Sequence, residues 1–198
     1  LAGARAAYAA GWSRIKLYFM AGFPNERPED IDRIYDLSVA VSRERCALGL
    51  APAAVTASVA WLVPKPFTPL QWMAQPPAAY FDSVRRRLQA RKHAQRSAVR
   101  LAMQPPQRAI LEAVLARGDR RIGPAILEAW RRGARLDAWT ERFSIERWQN
   151  AFATAGVDAA FYAHRERPLT ERLPWDHIGQ HLSRAYLARG YTELHDQR

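Results

Sequence analysis

The 198-residue sequence predicts an α/β fold with parallel strands near the amino terminus and a mainly helical remainder. Two apolar runs, residues 14–21 and 54–63, are typical of strands, and helical periodicity lies between them. The connection is long enough for a crossover between parallel strands. Beyond residue 75 the apolar residues recur mostly at helical spacing. We therefore expect a barrel-like part over residues 1–75 and a helical extension over residues 76–198.

The first part is predicted element by element. An Ala-rich helix over residues 2–10 ends at Gly11. The run 14–21 is nearly all apolar, which predicts a strand buried on both faces. Pro28 suits the first turn of the crossover helix, and Pro64 must end the second strand because proline lacks a backbone donor.

The second part predicts helices separated by short breaks. We expect a basic helix over residues 77–95, a short strand over 97–103, and a helix after the Pro-Pro pair at 105–106. Gly123-Pro124 opens another helix, with Ile126, Leu127 and Trp130 predicted to face inward. Ser144 is a candidate cap for a helix that carries Trp148 and Phe152.

Composition narrows the classes of protein. Hydrophobic residues make up 48% and charged residues 25%, which is typical of a folded soluble chain. Charged residues or prolines interrupt every apolar run, so we expect no membrane segment and a cytoplasmic location. The single cysteine, Cys46, excludes an internal disulfide and a self-contained Cys-rich metal site, and fits a reducing compartment.

The net charge of +11 is concentrated in one region. No acidic residue lies between Asp82 and Glu112, a segment rich in arginine. Such a run favours RNA or another polyanion as a partner. The alternative is an ordinary solvated helix face, and the sequence leaves both open. The candidate polyanion residues are Arg85, Arg86, Arg87, Arg91, Lys92 and Arg96.

A turn after the first strand is the main candidate ligand site. Gly22, Pro24 and Glu26 follow the strand at its carboxyl end, where parallel α/β barrels keep their active sites. Glycine lets the backbone approach another group closely. The composition of the turn fits a ligand contact and a purely structural turn equally well.

Other polar groups give weaker signals. Asp119 lies among three arginines in "ARGDRR", which favours a structural network over an anion site. His177 and His181 have the spacing of a metal-binding pair on a helix, but no third ligand accompanies them. Asp176-His177 is better interpreted as a local cap or hydrogen-bonded pair.

The two apolar strands also indicate an incomplete sheet. Both are predicted to be buried, so they need neighbouring strands, and an exposed apolar edge is normally avoided. We therefore expect residues 1–70 to be the end of a larger barrel and the chain to be a fragment, which would aggregate or require a partner when isolated.

A longer set of motifs resembles one protein family. "GWSRIKLYFMAGFPNERPEDI", "LVPKPFTPLQW", "LEAVLARGDRR", "AILEAWRRGARLDAWTERF", "RWQNAFATAGVD" and "RERPLTERLPWDHI" resemble the C-terminal half of the uncharacterised bacterial radical S-adenosylmethionine (radical SAM) proteins that carry a cobalamin-binding domain. The resemblance extends from about Gly11 to Ile178.

The resemblance implies a partial (β/α)6 radical SAM barrel in which residues 14–21 and 54–63 are the fifth and sixth strands. It also implies S-adenosylmethionine and a [4Fe–4S] cluster in the parent protein, with cobalamin as a further cofactor. Reductive cleavage there yields a 5'-deoxyadenosyl radical. By position, the residues that would help to seat the adenosyl group are Gly22, Phe23, Pro24, Glu26, Val63 and Pro64.

The sequence also departs from the family. It lacks the CxxxCxxC loop that holds the cluster, and Cys46 lies in the crossover segment instead. Arg27 stands where the family has threonine. We therefore expect no catalytic residue or metal ligand in this chain, which should be inactive without the amino-terminal half of the barrel as its partner.

Overall fold

The computed structural model describes residues 1–95, 97–179 and 181–196. The chain forms two compact units, the first from residues 1–62 and 78–106 and the second from residues 63–77 and 107–198. The mixed α/β class is confirmed, with three parallel strands and eight α-helices among the described residues. The predicted division after residue 75 stays a prediction.

The first unit holds the sheet and the helices that pack on it. Its elements are α1 (Ala2–Ala9), β1 (Arg14–Ala21), α2 (Pro28–Glu44), β2 (Ala54–Trp61), α3 (Ala78–Ala94) and β3 (Val99–Met103). Pro28 occupies the first turn of α2 as predicted, and the Asp30 carboxylate accepts a hydrogen bond from Arg27 N at 3.0 Å. Apolar residues of α2, including Ile31 and Ile34, are buried.

The sheet contains one more strand than we predicted for it. Its order is β1-β2-β3 and both pairings are parallel, so β2 is central. The sequence predicts residues 97–103 as a strand but does not place it beside β2. β2 ends at Trp61 rather than residue 63, although Leu62 N still donates to Ala21 O at 2.8 Å. Among the described residues, β1 has no strand on its other side.

The prediction that β1 is buried on both faces is wrong. Ile15, Leu17 and Phe19 are half-buried, whereas Lys16, Tyr18 and the other alternate side chains are exposed. Tyr18 is 75% exposed. The apolar helix faces pack against one side of the sheet only, and side chains alternate between the two sides. The charged residues at alternate positions of β1 therefore mark its open face.

The second unit is helical. It contains α4 (Pro106–Arg117), which enters this unit at Gln107, then α5 (Ile122–Arg131), α6 (Ile145–Thr154), α7 (Ala159–Ala163) and α8 (Arg184–Asp196). The Ser144 cap is confirmed, because its hydroxyl accepts from Arg147 N at 3.3 Å. The core includes Leu111, Val114, Ile122, Trp148, Phe152 and Tyr162.

The inward orientation predicted for Ile126, Leu127 and Trp130 is wrong. All three are about half exposed, and α5 buries Ile122, Ala125 and Ala129 instead. Small alanines allow a helix to pack closely on its neighbour, and α5 uses them against the core. The larger side chains consequently lie on the outer side of the helix.

The described residues contain no helix that is both long enough and apolar enough to cross a lipid bilayer.

Candidate functional site

The turn after β1 is closed by the side chain of Glu26. Gly22 has φ +110°, and its N–H donates to Glu26 Oε2 at 2.9 Å. The Tyr80 hydroxyl, on α3, donates to the same oxygen. Burial, followed by this hydrogen bond to a carboxylate, raises the pKa of Tyr80. Glu26 therefore fixes the turn by binding both its backbone and a neighbouring helix.

Gly22 is required at this position by its backbone angle and by its neighbours. A Cβ built on Gly22 would lie 3.0 Å from Phe81 Cε1 and 3.3 Å from Leu62 Cβ. A side chain here would strain the backbone and displace the Phe81 ring. The structure thus explains the glycine by the close packing of Phe81 of α3, and of Leu62 just after β2, against the turn.

The outer side of the turn remains accessible. Phe23 is exposed and Pro24 is half-buried, while Gly22 itself is buried. A cavity of about 220 Å³ lies beside the turn. Its lining includes Glu26, Pro28, Ile31, Tyr80, Val84 and Arg87. The predicted site residues of the turn therefore lie together, next to a small cavity of mixed polarity.

Val63 and Pro64 belong to the second unit. Val63 is half-buried and packs against the hydrophobic core of that unit, and Pro64 is buried. Their predicted role beside the adenosyl group stays a prediction.

Carboxylates bind much of the predicted polyanion patch. Arg87 makes a two-point contact with Asp32 at 2.8 and 2.7 Å, and Arg91 reaches Asp36 at 2.7 Å. The pKa of Asp32 is lowered, chiefly by its hydrogen bond to Arg87. A polyanion would have to compete with these pairs for the arginines. They join α2 to α3.

The rest of the patch is more open. Arg85 contacts Asp82 at 3.3 Å. Arg86 and Lys92 are exposed and make no ion pair within the described part of the chain. Arg96 lies outside the described residues. Polyanion binding by α3 stays a prediction, with a smaller set of free cations than the sequence indicates.

The histidine pair and the single cysteine are the sequence features that bear on metal binding. His177 and His181 are exposed, and Cys46 is exposed in a short 3-10 turn after α2. Over residues 1–95, 97–179 and 181–196, no three His, Cys, Asp or Glu side chains are placed to hold a metal ion. Asp176 acts as a local cap, accepting from Leu173 N at 2.8 Å, as one sequence interpretation predicts.

The arginines near Asp119 form a network in the second unit. Asp119 binds Arg121 in a two-point contact and accepts from the Tyr162 hydroxyl at 3.1 Å. These contacts, the Arg121 hydrogen bond first, lower the pKa of Asp119 to about 2. Arg117 instead donates to the carbonyls of Ala163 and Arg165 at 2.6 and 2.7 Å. The favoured structural interpretation agrees with this geometry.

A row of polar residues crosses the sheet, and its members were not predicted from the sequence to lie together. Lys16 pairs with Thr56, and Thr56 pairs with Arg100, so the three side chains lie on the same face. Arg14 and Lys16 alternate with apolar residues in β1, and that alternation was the available signal.

No protein family, curated protein or solved structure matched the chain.

Proposed function

We propose that this chain forms the carboxyl-terminal part of a radical SAM enzyme, with its β1 turn contributing to the S-adenosylmethionine pocket. The observation that carries the proposal is the turn at the carboxyl end of β1. There Gly22 has a positive φ, is packed against Phe81, and is fixed through Glu26. Ligands of parallel α/β sheets bind at the carboxyl ends of the strands.

The sheet itself supports the proposal. β1 is an edge strand in the described chain, and parallel sheets are normally covered on both sides. An upstream half-barrel would add strands to the free edge of β1 and enclose its exposed face. The missing half is accordingly the proposed partner, and the extra strand β3 is an addition to the two barrel strands predicted.

The turn residues fit a role in binding S-adenosylmethionine better than a role in chemistry. Phe23 and Pro24 offer an accessible apolar surface, whereas Glu26 is occupied by Gly22 and Tyr80. When bound, S-adenosylmethionine supplies the carbon radical of such enzymes. This chain would orient its adenosyl group and exclude water.

An iron–sulfur cluster does not fit this chain. Its ligands would be three thiolates, and the sequence has one cysteine, which is exposed on a 3-10 turn. We therefore place the cluster ligands, and any cobalamin contacts, in the upstream part of the parent protein.

The genomic sequence upstream of Leu1 tests the proposal most directly. We expect a CxxxCxxC motif in the same reading frame. An upstream stop codon without such a motif would contradict the proposal. The reconstituted full-length protein should then cleave S-adenosylmethionine to 5'-deoxyadenosine under reducing conditions.

A variant pair sharpens this test. In the full-length protein, Phe23→Ala should weaken binding of S-adenosylmethionine, because it removes part of the apolar surface of the turn. Leu48→Ala removes a similarly exposed apolar side chain far from the turn in sequence and should leave binding unchanged. An equal loss of S-adenosylmethionine binding in Phe23→Ala and Leu48→Ala would contradict the proposal that the turn forms part of the pocket.

A further inference from the structure

The open face of the sheet carries an unusual distribution of charge. The three strands contain Arg14, Lys16 and Arg100 and no carboxylate. All three cations are exposed on the face that α2 and α3 leave uncovered. Within the described part of the chain, none of them makes an ion pair. This face is therefore complementary to an anion.

The cations share one end of the face. Lys16, Thr56 and Arg100 form a single row across β1, β2 and β3. Strands lie about 4.8 Å apart, so the Lys16 and Arg100 backbones are about 10 Å apart, with the Thr56 hydroxyl group between them. A phosphate group bound over Thr56 would lie within reach of both long cationic side chains.

The other end of the face is uncharged and mainly apolar. The next row, about 7 Å further toward the carboxyl ends, consists of Tyr18, Ser58 and Ala102, and the one beyond pairs Met20 with Ala60. The Lys16 ammonium lies 4.7 Å from the centre of the Tyr18 ring, where the charged and aromatic zones meet. A ligand spanning these rows would need an anionic head and an apolar body.

From this arrangement we propose that the open face binds a small organic phosphate monoester. Its phosphate lies between Lys16 and Arg100, and its apolar body extends along Tyr18 and Met20 toward the Gly22 turn. A dianion matches three cations better than a monoanionic carboxylate does. A nucleic-acid strand fits less well, because its repeating phosphates need cations along their whole path, and this face has them at one end only.

This inference deepens the proposed function and rests on it in one respect. If the β1 turn seats the adenosyl group, the phosphate monoester bound on the open face is the substrate of the enzyme. The apolar end of that substrate is then directed toward the site of radical formation. The binding claim itself concerns only residues of this chain and can be tested without the cluster.

The test is a calorimetric titration of the full-length protein, prepared without its cluster, with n-hexyl phosphate. Inorganic phosphate and n-hexyl glucoside serve as the head-only and body-only probes. We expect hexyl phosphate to bind most tightly, phosphate more weakly, and the glucoside not at all. Absence of hexyl phosphate binding at millimolar concentrations would overturn the proposal. Equal affinities for hexyl phosphate and phosphate would overturn the apolar half of the site.

Substitutions then locate the two ends. Lys16→Gln and Arg100→Gln should each weaken hexyl phosphate binding about tenfold, as expected for loss of a charge-assisted contact. Arg43→Gln, which removes an exposed cation of α2, is the matched control and should change nothing. Tyr18→Ala should weaken hexyl phosphate binding but leave phosphate binding unaltered. Equal losses in all variants would indicate unspecific charge attraction and would contradict the proposal.

Two further measurements test whether the variants fold and which class of ligand the open face binds. Lys16→Arg keeps the charge and should keep most of the affinity, so a loss in Lys16→Gln alone reports charge rather than misfolding. Tighter binding of single-stranded RNA through Lys16 and Arg100 would show that the small-molecule assignment is wrong. Failure of the titration would leave an upstream CxxxCxxC motif unaffected, so the two proposals fail independently.

Discussion

Two sets of basic side chains, one taken from each unit, illustrate opposite uses of a cation. In the second unit, Arg117 and Arg167 are buried, and their guanidinium groups donate to backbone carbonyls. In the first unit, Arg87 and Arg91 lie at the surface and bind carboxylates on a neighbouring helix, while Lys16 and Arg100 are exposed without an ion pair in the described chain. Of these side chains, only Lys16 and Arg100 are both exposed and not bound to a carboxylate in the described chain, so they are the ones available to a ligand.

The physical basis of the contrast is solvation. A buried guanidinium loses its water and must be supplied with acceptors, which Arg117 finds in Ala163 O and Arg165 O. Burial first, and then the nearby Arg167 and Arg165, lower the pKa of Arg117 to about 10. A surface arginine keeps most of its water, so its ion pairs contribute little to stability.

The largest expected effect is on Arg117. Arg117→Met removes the donor to Arg165 O, and in the described chain it leaves Ala163 O with the Gln75 N–H alone. We expect a loss of about 3 kcal/mol in the free energy of unfolding, measured by urea denaturation. Arg120→Met, at an exposed neighbour, is the control and should stay within about 0.5 kcal/mol of the wild type. Similar losses of unfolding free energy for Arg117→Met and Arg120→Met would contradict the contrast between buried and surface arginines.

An intermediate effect is expected for Asp119 at low pH. Its folded pKa of about 2 lies below the ordinary 3.8, so the unfolded chain binds the proton more readily. The stability contributed by Asp119 is fully present above pH 4 and is lost as the pH falls toward 2. After allowance for solvent screening we expect about 1 kcal/mol.

Urea denaturation between pH 5 and pH 2 measures the effect of Asp119. Asp119→Asn should abolish this part of the acid dependence and leave the remainder, which comes from other carboxylates. The pH profiles of the wild type and the variant should therefore converge at the acid end. Parallel profiles would mean that the pKa of Asp119 is the same in the folded and the unfolded protein. That result would contradict a pKa lowered by the contacts with Arg121 and Tyr162.

The smallest effect concerns the surface pairs of the first unit. A double-mutant cycle with Arg91→Ala and Asp36→Ala should give a coupling of about 0.5 kcal/mol that decreases with added salt, because both side chains are more than 40% exposed. The measurement is urea denaturation at low and high ionic strength. A salt-independent coupling as large as the Arg117 effect would show that this surface pair behaves like a buried contact.

Much of the local structure could be predicted from the sequence because its causes are local. Proline at residue 28 begins α2, and the Ser144 hydroxyl caps α6 through an N–H three residues away. Apolar runs predict β1 and β2, and their crossover predicts that they are parallel. The glycine of the turn was predicted as a close approach, and a Cβ built there would lie only 3.0 Å from Phe81 Cε1.

The candidate site was predicted only in part. The turn residues Gly22, Phe23, Pro24 and Glu26 are close in sequence, so their grouping was predictable. The bond from Tyr80 to Glu26 spans 54 positions, and the pairs between α2 and α3 span 55, so no local pattern indicates them. The row of Lys16, Thr56 and Arg100 likewise depends on the register of three strands.

The sequence alone thus determined the α/β class, several helix boundaries and the turn after β1, since propensities, caps and periodicity act over a few residues. Tertiary structure decided which side of each element meets its neighbours. It exposed Trp130 on α5, buried Arg117, placed β3 beside β2 and left Lys16 on an open face. The reason is that burial depends on which elements pack together, and hydrogen bonds between distant residues form only after that packing is set.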